Sequence, residues 1–504
     1  MQPNCEQDKI SKLLLDSLYV DNKKIHKGAF AIFGNAKTKK KYFASAGEAS
    51  KGKKFRSSTI IRFASQSKLL GATIFAKAFE EGILPIQDSV SEYLPEFDRE
   101  LSYYKNDEGT EIGKFDGKIV TVGHLMSMST GLGYYFSNWG FLYNIFPPAM
   151  QTDGPLAKKN KVRNDLISKT LKERGMFWDW QFDPSIEKIS TLPSMKKYVD
   201  VLTTVPLLFK PGTNSSRGAV YGMDFDVLGA VVSVALKRNL GVTVWEYFKD
   251  RFLCPMNIDS FFYVGSEEKP CDLEERFADC PFRRPSENKQ PDGTEFAPDP
   301  SEEYLSQSAN EIAWTSDYPS DGFRYNHSIY TRIRVEPDEY AGYFGAGYAG
   351  TPSDYCKFFE LLVGKGVFRG KRLLSENSVS FIFTSSLPEN RSFGLATVVG
   401  DWTDSLAKDA DVNKVGLLSF TYNESWCLGQ VRGNHAFTDA LLDKPAISSS
   451  VFRWGSYYGP EYFCDLETGN YVVAGIQEDA NSLKVAGDTS SALAFNIFTM
   501  LQNQ

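Results

Sequence analysis

A serine followed three residues later by a lysine carries the clearest chemistry in the chain. Ser65-Gln66-Ser67-Lys68 stands where the mostly apolar run Ile60-Ile61-Arg62-Phe63-Ala64 gives way to a helical pattern. Residues three apart lie on one face of a helix, so the Lys68 amine can reach the Ser65 hydroxyl and act as its base in acyl transfer. The start of the helix also offers backbone N–H groups to a developing oxyanion. Spacing alone is weak support, because it recurs at Ser50, Ser102, Ser185, Ser194, Ser286 and Ser405. The bland alternative makes Ser65 a helix N-cap and Lys68 a lysine that reaches out to solvent.

Other reactive groups are scarce or scattered. The four histidines, His26, His124, His327 and His435, offer little to a histidine-based triad or metal site, and His124, beside Leu125 and Met126, reads as a packed histidine rather than a base. Seven cysteines, at 5, 254, 271, 280, 356, 427 and 464, include no CxxC pair and no zinc-like spacing, so reduced thiols are expected. No cofactor and no metal are implied.

The elements that must position Ser65 and Lys68 follow from periodicity. Leu69, Ala72, Ala76 and Phe79 repeat at three to four, with Gly82 as the stop, which predicts a buried helix over Lys68–Phe79. Residues 29–33 and 41–46 predict a hairpin, and further helices are expected over 122–129, 194–207, 225–235 and 244–252. Strands over 461–465 and 471–476, with a turn at 467–470 between them, precede a last helix at about 490–501. Segments 269–319 and 400–450 lack sustained periodicity and read as surface excursions. Strands at both ends with helices between them predict an α/β (α+β) fold: an antiparallel sheet built from both termini, flanked by helices, with an inserted helical subdomain. Residues 1–62 and 320–504 are assigned to the sheet-bearing part and 63–268 to the helical part of one catalytic domain.

Composition bounds the function. A chain of 504 residues with 42% hydrophobic and 24% charged residues is neither disordered nor membrane-embedded in character. A net charge of -7 argues against nucleic acid as a partner, and no stretch reaches a membrane-spanning length. Small-molecule esters or amides are the expected partners, and the oligomeric state is left open. The N-terminus has no basic-then-apolar leader pattern, so a cytoplasmic location is expected, or a secreted one if a signal peptide has been removed.

Four ordered landmarks carry a family resemblance. Arg62-Phe63-Ala64-Ser65-Gln66-Ser67-Lys68 with the following AFEEGILPIQDSVSEYLPEF resembles the opening of the serine β-lactamase and penicillin-binding-protein superfamily, in its class C and esterase branch. Thr130-Gly131-Leu132, the Pro-Gly-Thr turn at 211–213, and FGAGYAGTPSDYCKFFELLVGKG at 344–366 are similar to further segments of that family, in the same order. The resemblance implies a transpeptidase-like fold and an acyl-enzyme on Ser65, with Lys68 and Tyr221 as its acid–base partners. Tyr221 in VYGMDFDVLG is the match to the family's tyrosine, with the spacing to Asp226 and Gly229 seen in esterase members. Seven residues separate Thr213 from Tyr221, more than is usual, and Met223 stands where lactamases carry asparagine.

The family's Lys-Thr-Gly motif is replaced by Trp454-Gly455-Ser456, as in esterases and acyltransferases of the superfamily. Without that lysine a β-lactam carboxylate lacks its cationic partner. By the same resemblance the N–H of Tyr457 and that of Ser65 form the oxyanion hole. Tyr221 as a core aromatic and Trp454 as ordinary sheet packing are the corresponding bland readings. The expected activity is therefore a carboxylesterase or acyltransferase. The alternatives are a β-lactamase, a D-amino-acid peptidase, or an idle binding member of the fold.

Overall fold

The computed structural model describes residues 3–20, 23–24, 26–50, 52–106, 108–133, 162–174 without 164, 168 and 172, 191–211 without 193, 222–278 without 264, 265 and 267, 334–335, 340, 344–383, 424–427, 430–433, 450–477 without 457, and 484–502. Helix α1 (Pro3–Asp16) leads to the hairpin of β1 (Gly28–Asn35) and β2 (Lys40–Gly47). Strand β3 (Ile61–Arg62) runs through a 3-10 turn, Ala64–Gln66, into helix α2 (Ser67–Glu80). Helices α3 (Val122–Met126), α4 (Met195–Thr204), α5 (Asp224–Leu240) and α6 (Val244–Phe248) fill the middle of the chain. Strands β4 (Phe262–Tyr263) and β5 (Tyr348–Gly350) and helix α7 (Pro352–Val363) follow. Then come β6 (Glu424–Cys427), β7 (Gln430–Gly433), β8 (Val451–Gly455), β9 (Glu461–Asp465), β10 (Asn470–Gly475) and helix α8 (Lys484–Gln502).

Among the described residues seven strands form one antiparallel sheet in the order β6-β7-β8-β9-β10-β1-β2, so the last of them pairs with the first, Val473 opposite Ile32. The expected sheet from both termini is thus the architecture found. Its two faces are sorted by the period of two along each strand. Phe30, Ile32, Phe452, Trp454, Tyr462 and Val473 point into the large core shared with α2, α5 and α7. Ala31, Phe33, Val451, Phe463, Val472 and Ala474 point the other way, against Ile10 and Leu14 of α1 and Phe495 and Phe498 of α8. A sheet covered on both faces explains why its strands read as nearly unbroken apolar runs.

Helix α2 is the spine of the large core. Leu69, Leu70, Ile74 and Phe75 have no exposed surface, and burial of such side chains contributes about 1.5–3 kcal/mol each. The helix stops where the sequence indicates, with Gly82 at φ +71° just past its end. Its N-terminus abuts a small antiparallel sheet of β3, β5 and β4, in which Ala349 faces Arg62. This small sheet fixes the chain immediately ahead of Ser65.

Several elements differ from expectation. The α1 helix and the hairpin Glu100–Tyr104 with Ile112–Asp116 are not anticipated by the sequence patterns. The segment starting at Lys269 is at first not an excursion: Leu273, Phe277 and Ala278 are buried, and the Ala278 N–H donates to Ile60 O at 2.9 Å. Residues 279–319 lie outside the described residues. Within 400–450, β6 and β7 extend the main sheet, and most of the remainder lies outside the described residues. Among the described residues no single helix is long and apolar enough to cross a membrane.

Candidate active site

Ser65 occupies the middle of the 3-10 turn and is partly exposed, while Lys68, in the first turn of α2, is fully buried. Lys68 Nζ donates to Ser65 Oγ at 3.3 Å and to the carbonyl of Gly345 at 2.8 Å. Neither bland reading fits this arrangement. Gln66, not Ser65, holds the N-cap position of α2, and a lysine without exposed surface does not reach out to solvent. Ala64, just before the serine, has φ +43°. A non-glycine residue in that region carries strain of about 1–3 kcal/mol, held in place by the packing around it.

That packing is a set of hydrogen bonds running from the turn and its flanking residues to β5, α7, the β8–β9 turn and the chain just after β10. Gln66 Nε2 donates to Pro460 O at 2.9 Å, and Tyr355 of α7 donates its hydroxyl to Gln66 O at 2.9 Å. Ser67 Oγ accepts from the Tyr348 N–H of β5 at 3.1 Å, and the Phe63 N–H donates back to Tyr348 O at 3.1 Å. Arg62 N donates to Gln477 Oε1 at 2.8 Å, and Gln477 Nε2 donates to Tyr458 O at 3.0 Å. Every one of these groups is buried, so each lost bond leaves a polar atom dry at a cost of about 1–3 kcal/mol. The serine turn is therefore held rigidly, as a nucleophile requires.

The same network brings the Trp454-Gly455-Ser456 strand end alongside. Pro460 O accepts both from Gln66 and from the Ser456 N–H at 2.7 Å, so one carbonyl ties the serine turn to the end of β8. Ser456 Oγ lies 3.4 Å from Arg62 O and accepts from the Tyr458 N–H at 3.1 Å. Trp454 is 5% exposed and packs in the large core opposite Tyr462, so its sheet-packing role is real. Of the residues expected at the site, Ser65, Lys68, Trp454, Gly455 and Ser456 are thus on elements in direct contact. Tyr221 and Tyr457 lie outside the described residues.

Sequence reasoning missed two carboxylates. Asp226 accepts from the Gly345 N–H at 2.9 Å, and the carbonyl of the same glycine takes the bond from Lys68. Burial pushes the Asp226 carboxyl up to about 6, against the charge of Lys68 and the bond from Gly345. Its spacing from Tyr221 was the available signal, but that signal does not reveal a contact with the 344–347 turn. Asp224, the first residue of α5, accepts from Thr130 Oγ1 at 2.5 Å. Burial pushes it up to about 7, opposed by the Thr130 bonds and by Arg163. His124 behaves as expected of a packed histidine: its Nδ1 takes the Thr121 N–H at 3.0 Å, and burial lowers its pKa. Among the described residues no group of histidines, cysteines or carboxylates could hold a metal ion.

The arrangement joins a serine at a helix start, a buried lysine in contact with it, and the end of sheet strand β8 tied to the serine turn through Pro460 O. Comparison with known proteins bears on its class. Residues 16–481 match the family model described as Beta-lactamase. Esterase EstB of Burkholderia gladioli is 23% identical over 427 residues, 83% of this chain and 77% of that protein. Acyltransferase calJ of Penicillium decumbens is 24% identical over 194 residues, 38% of this chain and 35% of its own. The solved structure of simvastatin synthase (LovD) from Aspergillus terreus, in its LovD9 mutant, has a TM-score of 0.61 at 16% identity, covering 99% of this chain and 100% of that one. That likeness is one of fold. With a family model matched from the first sheet strand to beyond the last, this chain belongs to the Beta-lactamase family and is a serine hydrolase or acyltransferase of that fold.

Proposed function

We propose that the protein is a carboxylesterase or acyltransferase for small-molecule esters, working through an acyl-enzyme on Ser65. The observation that carries this reading is the buried Lys68 amine 3.3 Å from Ser65 Oγ at the mouth of α2. Ser65 Oγ attacks the ester carbonyl while its proton passes to Lys68 and Tyr221. The tetrahedral oxyanion is stabilised by the backbone N–H groups of Ser65 and Tyr457. Tyr221 then protonates the departing alcohol oxygen as the C–O bond breaks, leaving the acyl group on Ser65. Water, or a second alcohol, gives up a proton to the same pair and takes the acyl group, which restores the serine.

Trp454 and Met223 favour an ester over a β-lactam or a D-amino-acid peptide. The first occupies the place of a carboxylate-binding lysine, and the second that of an amide side chain that would bind an acylamino group. The names of the relatives, an esterase and an acyltransferase, support the same choice. The test is hydrolysis of p-nitrophenyl acetate by the wild type and by Ser65→Ala: turnover in the first and none above background in the second is the expected result. Turnover of a β-lactam at a rate comparable to the ester would favour the lactamase alternative instead.

A further inference from the structure

The residues on both sides of the segment carrying Tyr221 rest on one short loop, 130–133. Upstream, the Leu208 N–H donates to Gly131 O at 2.8 Å. Downstream, the Met223 N–H donates to Gly133 O at 3.1 Å, and Gly222 lies so near Gly133 that a Cβ there would sit 2.6 Å from its Cα. The loop is fastened to α5 by one side-chain pair. Thr130 Oγ1 donates to Asp224 Oδ1 at 2.5 Å, and the Thr130 N–H points to the same oxygen at 3.4 Å. The Thr130 hydroxyl also accepts from the Leu132 N–H at 3.1 Å, which bends the loop back on itself. Thr130 and Asp224 have no exposed surface, so bulk water cannot replace either bond.

Asp224 opens the helix whose first turn is linked to Lys68. Asp226, two residues on, holds the Gly345 N–H, and Gly345 O holds Lys68 Nζ. Tyr221 directly precedes Gly222, the residue packed on Gly133. A shift of the first turn of α5 therefore moves Gly345 O, which holds Lys68 Nζ, and Gly222, the residue next to Tyr221 in the chain, and a shift of 1 Å or so is enough to affect a proton transfer.

We infer that Thr130 and Asp224 are positioning residues for proton delivery to the leaving group, and so set which esters the site can cleave. The inference rests on the acyl-enzyme reading above. An ester whose alcohol leaves as a stabilised phenolate needs little protonation, whereas an alkyl ester must receive a proton as its C–O bond breaks. Loosening the clamp weakens the second reaction selectively. Loss of folded protein lowers both equally.

The experiment compares kcat/KM on p-nitrophenyl acetate with that on the alkyl acetate that the wild type cleaves fastest, each corrected for active sites counted by a serine-reactive phosphonate. Thr130→Val, which keeps the shape and removes the hydroxyl, is expected to lose about 10- to 100-fold on the alkyl ester and less than about threefold on the p-nitrophenyl ester. Thr130→Ala serves in its place if the valine variant does not fold. Thr130→Ser and Asp224→Asn, which keep the donor and the acceptor, are expected to stay near the wild-type ratio of the two esters. Equal losses on both esters, no loss, or a serine variant as impaired as the valine variant overturns the inference. Ser65→Ala is run alongside: if it retains turnover, the acyl-enzyme reading itself fails. If Ser65→Ala is silent while Thr130→Val shows no discrimination, only the clamp is wrong.

Discussion

Ser65 and Lys68 are neighbours by local geometry, and that is why a sequence could find them. A helix places residues three apart on one face whatever the rest of the chain does. What the sequence could not supply is the burial that distinguishes this pair from the other Ser-x-x-Lys stretches, since burial depends on β5, β8 and α7 closing over the turn. Replacing Lys68 by methionine, of similar length and without an amine, is expected to lower kcat/KM by about 10²- to 10⁴-fold, the range for losing a general base. Retained phosphonate labelling of a folded variant at a much reduced rate is the accompanying result. An unchanged rate of labelling would mean that another group activates Ser65. The carboxylates at 224 and 226 stayed hidden because their partners, Thr130 and Gly345, are far away in the chain.

At the scale of elements, the first turn of α5 brings two buried acids into the site. Both carboxyls keep their protons to higher pH in the folded protein than the usual 3.8, Asp224 to about 7 and Asp226 to about 6. Between about pH 4 and about pH 7 the folded state therefore binds more protons than the unfolded chain, and stability falls as pH rises through that window. Asp224→Asn removes one of the two groups. Its denaturant midpoint is expected to fall less between about pH 5 and about pH 8 than that of the wild type, by at least about 1 kcal/mol in free energy. Parallel curves would show that Asp224 does not titrate in this way. The 344–347 turn is equally sensitive, because a Cβ at Gly345 would lie 2.1 Å from Asp226 Oδ2. Gly345→Ala is expected to cost about 1–3 kcal/mol of stability and, by moving the carbonyl that holds Lys68, at least about tenfold in kcat/KM. Helices α2 and α5 were readable from their apolar spacing. The hairpin at 100–116 was not, since exposed Glu100, Glu111, Ile112 and Lys114 blur its alternation.

At the scale of the molecule, the site lies where a sheet made from both chain ends meets a helical layer from the middle, so distant segments must assemble before any chemistry is available. The strand turn that brings Gly455 and Ser456 to the serine is braced on the opposite face by a buried ion pair, Arg453 to Glu461 at 2.7 Å. Glu461→Gln keeps the size of the side chain and removes its charge from this pair, and is expected to lower the midpoint of unfolding. An unchanged midpoint would mean that the charge on Glu461 contributes nothing to stability. The two-ended sheet was legible because apolar runs at 29–33 and 471–476 bracket a helical middle. The covering helix α1 was not, since among its described side chains, residues 8–16, Ile10 and Leu14 are buried and most of the others lie open to solvent.

The proposed activity requires covalent chemistry at Ser65. Intact-protein and peptide mass spectrometry after a serine-reactive phosphonate, run beside p-nitrophenyl acetate turnover, tests it most directly. The predicted result is one adduct, on the peptide containing Ser65, with turnover abolished in proportion, and neither adduct nor turnover in a folded Ser65→Ala variant. An adduct on another residue, or ester turnover that persists in Ser65→Ala, would contradict it.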